Sequence, residues 1–410
     1  MMNTNDDLAD RVTRGLGQAE QAVAPTARTA LSDIRRATIR EVSDFLALEA
    51  DWRQLEISCC SHCSIFQCFD WLKNWALVYA GKAGSAPLYV MLGYRGQRLV
   101  FAWPLMRTRW GPLTILRWMS EPLSQYGDIL LAQGENPRAW MEDSITELRH
   151  APDVDAIRLR HVRADAQATP VLQKSFRHAR FAEQAPWLDL TVFANEAAYD
   201  ARYSPAQRKR RKKIRKKLEE GFGTLVFTAL RPGAATDDAI DMAIAEKSQW
   251  IESRGHQNRA LNCAEINTFL KCLARITDGA MQLVVTALTA GGKPVSWEIG
   301  LRYGTTHFGF ITSHVAALTD YSPARLHMDL SQRQALKDGM TAFDLMLPHD
   351  AYKDSWSSAH IEAADYHLPL SKPGFVYGML YLERLRPLLR HAYYRMPPSL
   401  LRLLKPIAGH

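Results

Sequence analysis

Apolar positions recur at helical spacing from about Arg40 to Leu55, and again through Phe69, Leu72, Ala76 and Tyr79, with Trp71 and Trp75 thickening the second face. Alternating apolar runs then predict strands at 88–94, 98–106 and 113–119, punctuated by Arg95-Gly96-Gln97 and Trp110-Gly111-Pro112. The same order returns later in the chain. A helix through Ile240, Ala243, Ile244 and Ile251 precedes strands at 283–289, 295–303 and 307–312, separated by turns at Gly291-Gly292 and Gly304. Tyr321-Ser322-Pro323 opens a helix that ends near Asp338-Gly339, and a strand follows at 343–346. A repeat of element order at about 200 residues indicates two related halves, because solenoid repeats are far shorter. The expected fold class is α/β (α+β), with mixed, mostly antiparallel sheets flanked by helices. The expected divisions are a flexible leader at 1–37, an N-terminal domain at 38–195, a C-terminal domain at 196–372 and a basic amphipathic helical tail at 373–410. In that tail Tyr377, Leu380, Tyr381, Leu385, Leu388, Leu389, Ala392 and Tyr393 follow a helical stripe interrupted at Pro387, suited to an interfacial helix or to docking on the second domain.

With 410 residues, 47% of them hydrophobic, the chain can bury two domain cores. No stretch of about 18 apolar residues occurs, and Asp6, Asp7, Asp10 and Glu20 occupy the region where a signal peptide needs apolar residues. The reading is a cytoplasmic protein, with peripheral attachment to the inner face of the membrane as an alternative. Of six cysteines, Cys59, Cys60, Cys63 and Cys68 cluster without the second ligand pair that a zinc site needs, so no metal is expected.

The formal charge of +8 favours anionic partners. Much of it is concentrated at 208–217, where only Ile214 interrupts nine basic residues; a helix so charged stays in solvent, packing at most through Tyr203, Ile214 and Leu218. Such a helix suits a nucleotide-linked sugar, tRNA or an anionic membrane. The segment lacks the interleaved aromatics that stack bases, which counts against nucleic acid.

Several words of this sequence recur together in a known family: Phe66-Gln67-x3-Trp71, Pro104-Leu105, Tyr126-x-Asp128, the basic run from Arg208, Lys247-x2-Trp250, Tyr321-Ser322-Pro323, Phe343-Asp344 and Tyr352-Lys353-x2-Trp356. Together they cover most of residues 50–360 and resemble the GNAT-like acetyltransferases of the CelD/BcsL type, with a BioF2-like acetyltransferase domain, related to Fem-type transferases. The resemblance implies tandem GNAT-like halves. It also implies acetyl-CoA or another acyl-CoA as co-substrate, and transfer of the acyl group to an amine or hydroxyl acceptor such as a saccharide precursor in exopolysaccharide or cellulose synthesis. Two rivals are a Fem-like aminoacyl transferase using charged tRNA and a non-catalytic accessory of a polysaccharide synthase. Family members often carry a glycine soon after the Ser-Pro pair, where this chain has Ala324-Arg325-Leu326.

Candidate residues follow from the chemistry of acyl transfer, which needs a donor for the oxyanion, a base for the nucleophile and an acid for the thiolate. Ser322 as a cap, Pro323 at the first helical position and the N–H groups of Ala324, Arg325 and Leu326 suit a cofactor phosphate, with Arg325 as a charged partner. A capped helix without ligand would look the same. Glu298 lies in an apolar strand, where a raised pKa would make it a base; an edge carboxylate is the alternative, and His314 is the other candidate base. Tyr321 is the candidate acid. Lys247 and Trp250 are placed to close a substrate pocket. Alternation puts Phe343 and Leu345 on one side of their strand and Asp344 on the other. The resemblance assigns Asp344, Tyr352, Lys353 and Trp356 to the substrate site or its support, with a structural Asp344–Lys353 ion pair as the competing account.

Overall fold

A computed structural model describes residues 34–59, 61–80, 88–254, 258, 260–261, 263 and 265–395. The expected leader lies outside these residues apart from its last four positions, which are not leader but part of a strand. The strands are β1 (Ile34–Ile39), β2 (Leu88–Arg95), β3 (Arg98–Trp110), β4 (Leu113–Trp118), β5 (Leu130–Leu131), β6 (Ala156–Arg163), β7 (Arg177–Asp189), β8 (Leu225–Ala229), β9 (Met281–Ala290), β10 (Lys293–Tyr303), β11 (Thr306–His314), β12 (Ala342–Asp344) and β13 (Ala359–Pro369). They form one mixed sheet in the order β1-β2-β3-β4-β6-β13-β7-β12-β11-β10-β9-β8, with β5 added to β3.

The repeat expected from element order is visible in the ladders. In each half three strands run antiparallel, and a crossover helix then delivers a fourth strand parallel to the third: β2-β3-β4 with β6, and β9-β10-β11 with β12. A parallel step demands such a crossover, supplied by helices Pro137–Arg149 and Pro323–Lys337. Tight two-residue turns close the hairpins, and at β9–β10 both Gly291 (φ 54°) and Gly292 (φ 79°) are left-handed, as a type I′ turn requires. A side chain on Gly291 would also strike the Phe222 carbonyl at 2.3 Å.

A linear boundary at 195/196 does not separate the sheet. β13, late in the chain, pairs with β6 and β7, while β7 of the first half pairs with β12 of the second. Each half thus completes the other's sheet with a strand. The cores merge as well: Trp71, on the helix Phe69–Trp75, meets Phe269 and Phe310 of the second half edge-on at 4.8 and 5.7 Å.

Ile240, Ala243 and Ile244 are buried on helix Ala234–Ser253, as the periodicity requires. The segment read as a helix from Arg40 follows β1 and divides into helices Val42–Ala47 and Glu49–Cys59. The basic run lies on helix Pro205–Phe222, started by a Ser204/Gln207 capping box and held to the body by Leu218 and Ile214. Pro387 does not end the C-terminal helix; a π-helical stretch, Tyr377–Leu385, leads into it. That helix docks on both halves: Tyr377 and Leu382 pack against Leu113, Ile115 and Ala156 of the first, while Glu383 and Arg386 pair with His367 and Asp365 on β13 of the second. No helix among the described residues is long and apolar enough to cross a membrane.

Candidate functional site

The parallel ladder between β11 and β12 runs only from Thr306/Ala342 to Phe308/Asp344, after which the strands part. Residues 309–314 on one side and Leu345, Leu347 and Pro348 on the other line a cavity of about 1230 Å³. The equivalent ladder in the first half, β4 with β6, has two pairs, Ile115/Ala156 and Leu116/Ile157, and it too opens, so that residues 121–125 together with Arg160 and His161 line the same cavity. One cavity is therefore built from both strand divergences.

Backbone strain gathers around it. Ser120, His161, Ser322 and Met346 are the non-glycine residues with left-handed φ among the described residues, at 70°, 54°, 55° and 58°. His161 and Ser322 line the cavity, and Ser120 and Met346 adjoin residues that do. Conformations of this kind cost about 1–3 kcal/mol each and persist where the surroundings fix them, characteristically at functional sites. At His161 the cause is a bulge: Arg160 and His161 of β6 oppose Asp365 alone, whose carboxylate accepts the His161 N–H at 3.1 Å.

One end of the cavity carries more basic than acidic side chains, Lys247, Arg254, Arg325 and Lys353 against Glu246 and Asp350. Helix Ala234–Ser253 supplies Lys247 and Trp250, and Arg254 lies 3.9 Å over the Trp250 ring. Lys247 is shifted below the ordinary lysine range by desolvation and by Arg254. Lys353 is buried and lowered to about 8, chiefly by desolvation, while its Nζ donates to the Met346 and Pro348 carbonyls at 2.9 and 2.8 Å. Arg325 stands exposed at the rim, with Ser322 and Ala324 beside it. His314, hydrogen-bonded to Thr319 Oγ1 at 3.2 Å, is held below the usual histidine range by desolvation and by Lys247. A neutral imidazole can take a proton. Tyr352 is exposed at the cavity mouth, and its phenol, shifted upward by desolvation and by Asp350, keeps its proton as an ordinary phenol does at neutral pH.

The structure thus brings His314, Ser322, Ala324, Arg325, Lys247, Trp250, Tyr352, Lys353 and Trp356 to one cavity. It leaves Glu298, Tyr321, Leu326 and Asp344 outside the cavity lining. Glu298 faces the interior beneath helix Pro323–Lys337 and meets His307 Nε2 at 2.8 Å; its pKa is lowered, the reverse of the expectation, because desolvation is outweighed by His307 and His327. The alternative of an edge carboxylate fails too, since the side chain is 1% exposed. Tyr321 packs on Phe222 at 4.8 Å with Lys217 above its ring. Ser322 makes no side-chain cap; its carbonyl instead receives the N–H groups of Arg325 (3.1 Å) and Leu326 (3.4 Å), so these two are not free for a phosphate. Leu326 is buried against Leu218 and Leu288. Asp344 pairs with Arg163 rather than Lys353, and accepts from Tyr126 Oη at 2.9 Å.

The first-half wall, with Glu121, Gln125, Arg160 and His161, was missed by sequence reasoning. The signal was available: the loop after β4 occupies the place in the repeat that residues 315–322 occupy after β11. The expectation of no metal weighed the cysteines and the neighbouring His62. Cys59 and Cys68 are buried free thiols, whereas His349 and His360 approach the same Asp354 oxygen at 2.7 and 3.0 Å in an exposed cluster with ligand types a divalent cation accepts.

Residues 206–354 match the acetyltransferase (GNAT) domain family, from the basic helix to the loop bearing Lys353. No curated protein matches the sequence. Among solved structures, FemX superposes with a TM-score of 0.57 at 12% identity, over 84% of this chain and 99% of that one. The C-terminal domain of a protein described as a lysylphosphatidylglycerol synthetase, from Agrobacterium fabrum, gives 0.52 at 10% identity, over 82% and 95%. At such identities the likeness speaks for the fold. The domain match and the ladder pattern agree: the chain is similar over residues 206–354 to a GNAT-type acetyltransferase domain, within a tandem GNAT-like α/β fold.

Proposed function

We propose that this protein is an acyltransferase that moves an acetyl or other acyl group from an acyl-CoA thioester to an amine or hydroxyl. One observation carries the reading: β11 and β12 part directly beside the start of helix Pro323–Lys337, at the basic end of the cavity. A strand edge without a ladder partner presents N–H groups that can meet a thioester oxygen as it gains charge. Lys247, Arg254, Arg325 and Lys353 balance the phosphates. His314 takes the proton from the acceptor as its nitrogen or oxygen bonds to the acyl carbon; the C–S bond then breaks and the thiolate is protonated from Tyr352. Acceptors in exopolysaccharide or cellulose synthesis fit the resemblance to CelD/BcsL-type proteins. The test is a thermal-shift panel of acetyl-CoA, longer acyl-CoAs, free CoA and tRNA, followed by release of free thiol on addition of acceptors. Stabilisation by CoA species with acceptor-dependent thiol release supports the proposal; no CoA binding overturns it.

A second reading is favoured by the basic helix. Lys209, Arg210, Lys212 and Lys213 are exposed on it, and none forms an ion pair among the described residues. In an aminoacyl transferase this face would carry charged tRNA. Alternatively it would rest on an anionic membrane surface, with the protein on the cytoplasmic side.

A further inference from the structure

Resting on the acyltransferase reading, we infer that the first-half wall of the cavity is the acceptor subsite, and that it takes a molecule rich in uncharged hydrogen-bonding groups, such as a saccharide or amino sugar. The two strand divergences repeat the same topology but are furnished differently. In the second half the crossover helix begins at the cavity, with Ser322, Ala324 and Arg325 on its lining; in the first half the crossover helix, Pro137–Arg149, begins elsewhere, and the strained loop from Ser120 to Gln125 occupies the opening. The first half therefore offers no helix start to a phosphate. It offers fixed side chains instead.

Their charges also differ from those of the basic end. The first-half wall sets Arg160 and Arg386 against Glu121 and Glu183, while His161 is held neutral by desolvation and by Arg160. Opposite charges in equal number leave little attraction for a polyanion. A simple cation fares no better at Glu121, which already has Arg117, Arg158 and Arg160 around it.

The hydrogen-bonding pattern narrows the class. Glu121 Oε1 and Gln125 Oε1 are buried acceptors without donors, and Arg160 Nε, 3.6 Å from Asp365 Oδ2, is a buried donor without an acceptor. A buried polar group left without a partner is destabilising, so a ligand that pairs with it gains affinity. A ligand whose groups both donate and accept, as hydroxyls do, satisfies acceptors and donor together after small side-chain movements. The wall is also held in place: Trp71 Nε1 donates to Ser120 Oγ at 2.9 Å, and Asp365 fixes the bulge at His161.

The experiment is saturation-transfer NMR and calorimetry with cellobiose and D-glucosamine, with spermidine as a cationic control, on the full chain with and without saturating CoA. Gln125→Ala and His161→Asn are the variants, the second chosen because asparagine tolerates left-handed φ and keeps the fold. We expect both sugars to bind the CoA-loaded protein more tightly than spermidine. Each variant should weaken sugar binding about fivefold or more, the loss of one hydrogen bond, while CoA affinity stays unchanged. Absence of sugar binding, affinity unaltered by both variants, or preference for spermidine overturns the inference. Failure of CoA to bind in the same titrations overturns the acyltransferase reading instead, and the sugar titrations without CoA still judge the subsite.

Discussion

Asp344, on the central strand β12 of the second half, closes its carboxylate on the guanidinium of Arg163, on β6 of the first half, and each side chain is only 3% exposed. The same carboxylate receives the Tyr126 hydroxyl at 2.9 Å and the Met346 N–H at 2.7 Å. Residues far apart in sequence are thereby tied beneath the cavity. Removing one partner of a buried pair strands the other charge, so Asp344→Asn should lower stability by about 3–5 kcal/mol in urea unfolding. Unchanged stability with lost substrate affinity would return Asp344 to the substrate site.

His314→Gln should reduce turnover about 10²–10⁴-fold while leaving CoA affinity nearly intact, because the residue acts on the acceptor's proton. Since its pKa is depressed, the wild-type rate should fall on the acid side only below the ordinary histidine value of 6.5. Glu298→Gln, by contrast, should cost stability and leave the turnover of the folded fraction within a few-fold. A rate collapse in Glu298→Gln with normal turnover in His314→Gln would exchange their roles.

Arg325→Ala should weaken CoA binding by about 1.5–3 kcal/mol, or about 10- to 150-fold, measured by calorimetry. Its side chain is exposed at the rim, so little stability should be lost with it. Unaltered CoA affinity removes Arg325 from the site.

Lys353 gives a pH signature. Its folded pKa of about 8 lies below the ordinary 10.5, so between those values the unfolded chain holds the proton that the folded chain has lost. Stability should therefore rise with pH across that window, and Lys353→Met should abolish the rise. If Lys353 also balances a phosphate, CoA affinity should fall as pH passes about 8. Parallel unfolding curves for the two proteins across the window would disprove the depressed pKa.

Replacing Lys209, Arg210, Lys212 and Lys213 by glutamine should leave CoA binding intact and remove any salt-sensitive binding of tRNA or anionic vesicles, read by co-sedimentation at two ionic strengths. Arg211 behaves differently: it pairs with Asp329 and lies 3.5 Å over Tyr203 and 4.0 Å over Trp356, so Arg211→Gln should destabilise the fold. If the quadruple variant lost CoA, the helix would belong to the cofactor site. Strong tRNA binding by the wild type would place the aminoacyl-transferase reading first.

Local patterns determined much of this molecule. Alternation placed β2, β3, β9, β10 and β11, glycines marked their turns, and the density of charge on 208–217 required an exposed helix, because periodicity and turn chemistry act over a few residues. The repeat of element order likewise marked two related halves, and the words around Lys247, Ser322 and Lys353 fell at one cavity. Tertiary structure decided the rest. Whether Glu298 met water or His307 depended on the helix laid over its strand face, and Asp344 found Arg163 only because β12 and β6 were brought together by the exchange of β7 and β13. The first-half wall arose in the same way: no local pattern at Glu121 or His161 specifies that two diverging strand pairs, about 200 residues apart, will open into one space. Ladder pairing across the halves is a long-range choice, made by the burial of both cores at once.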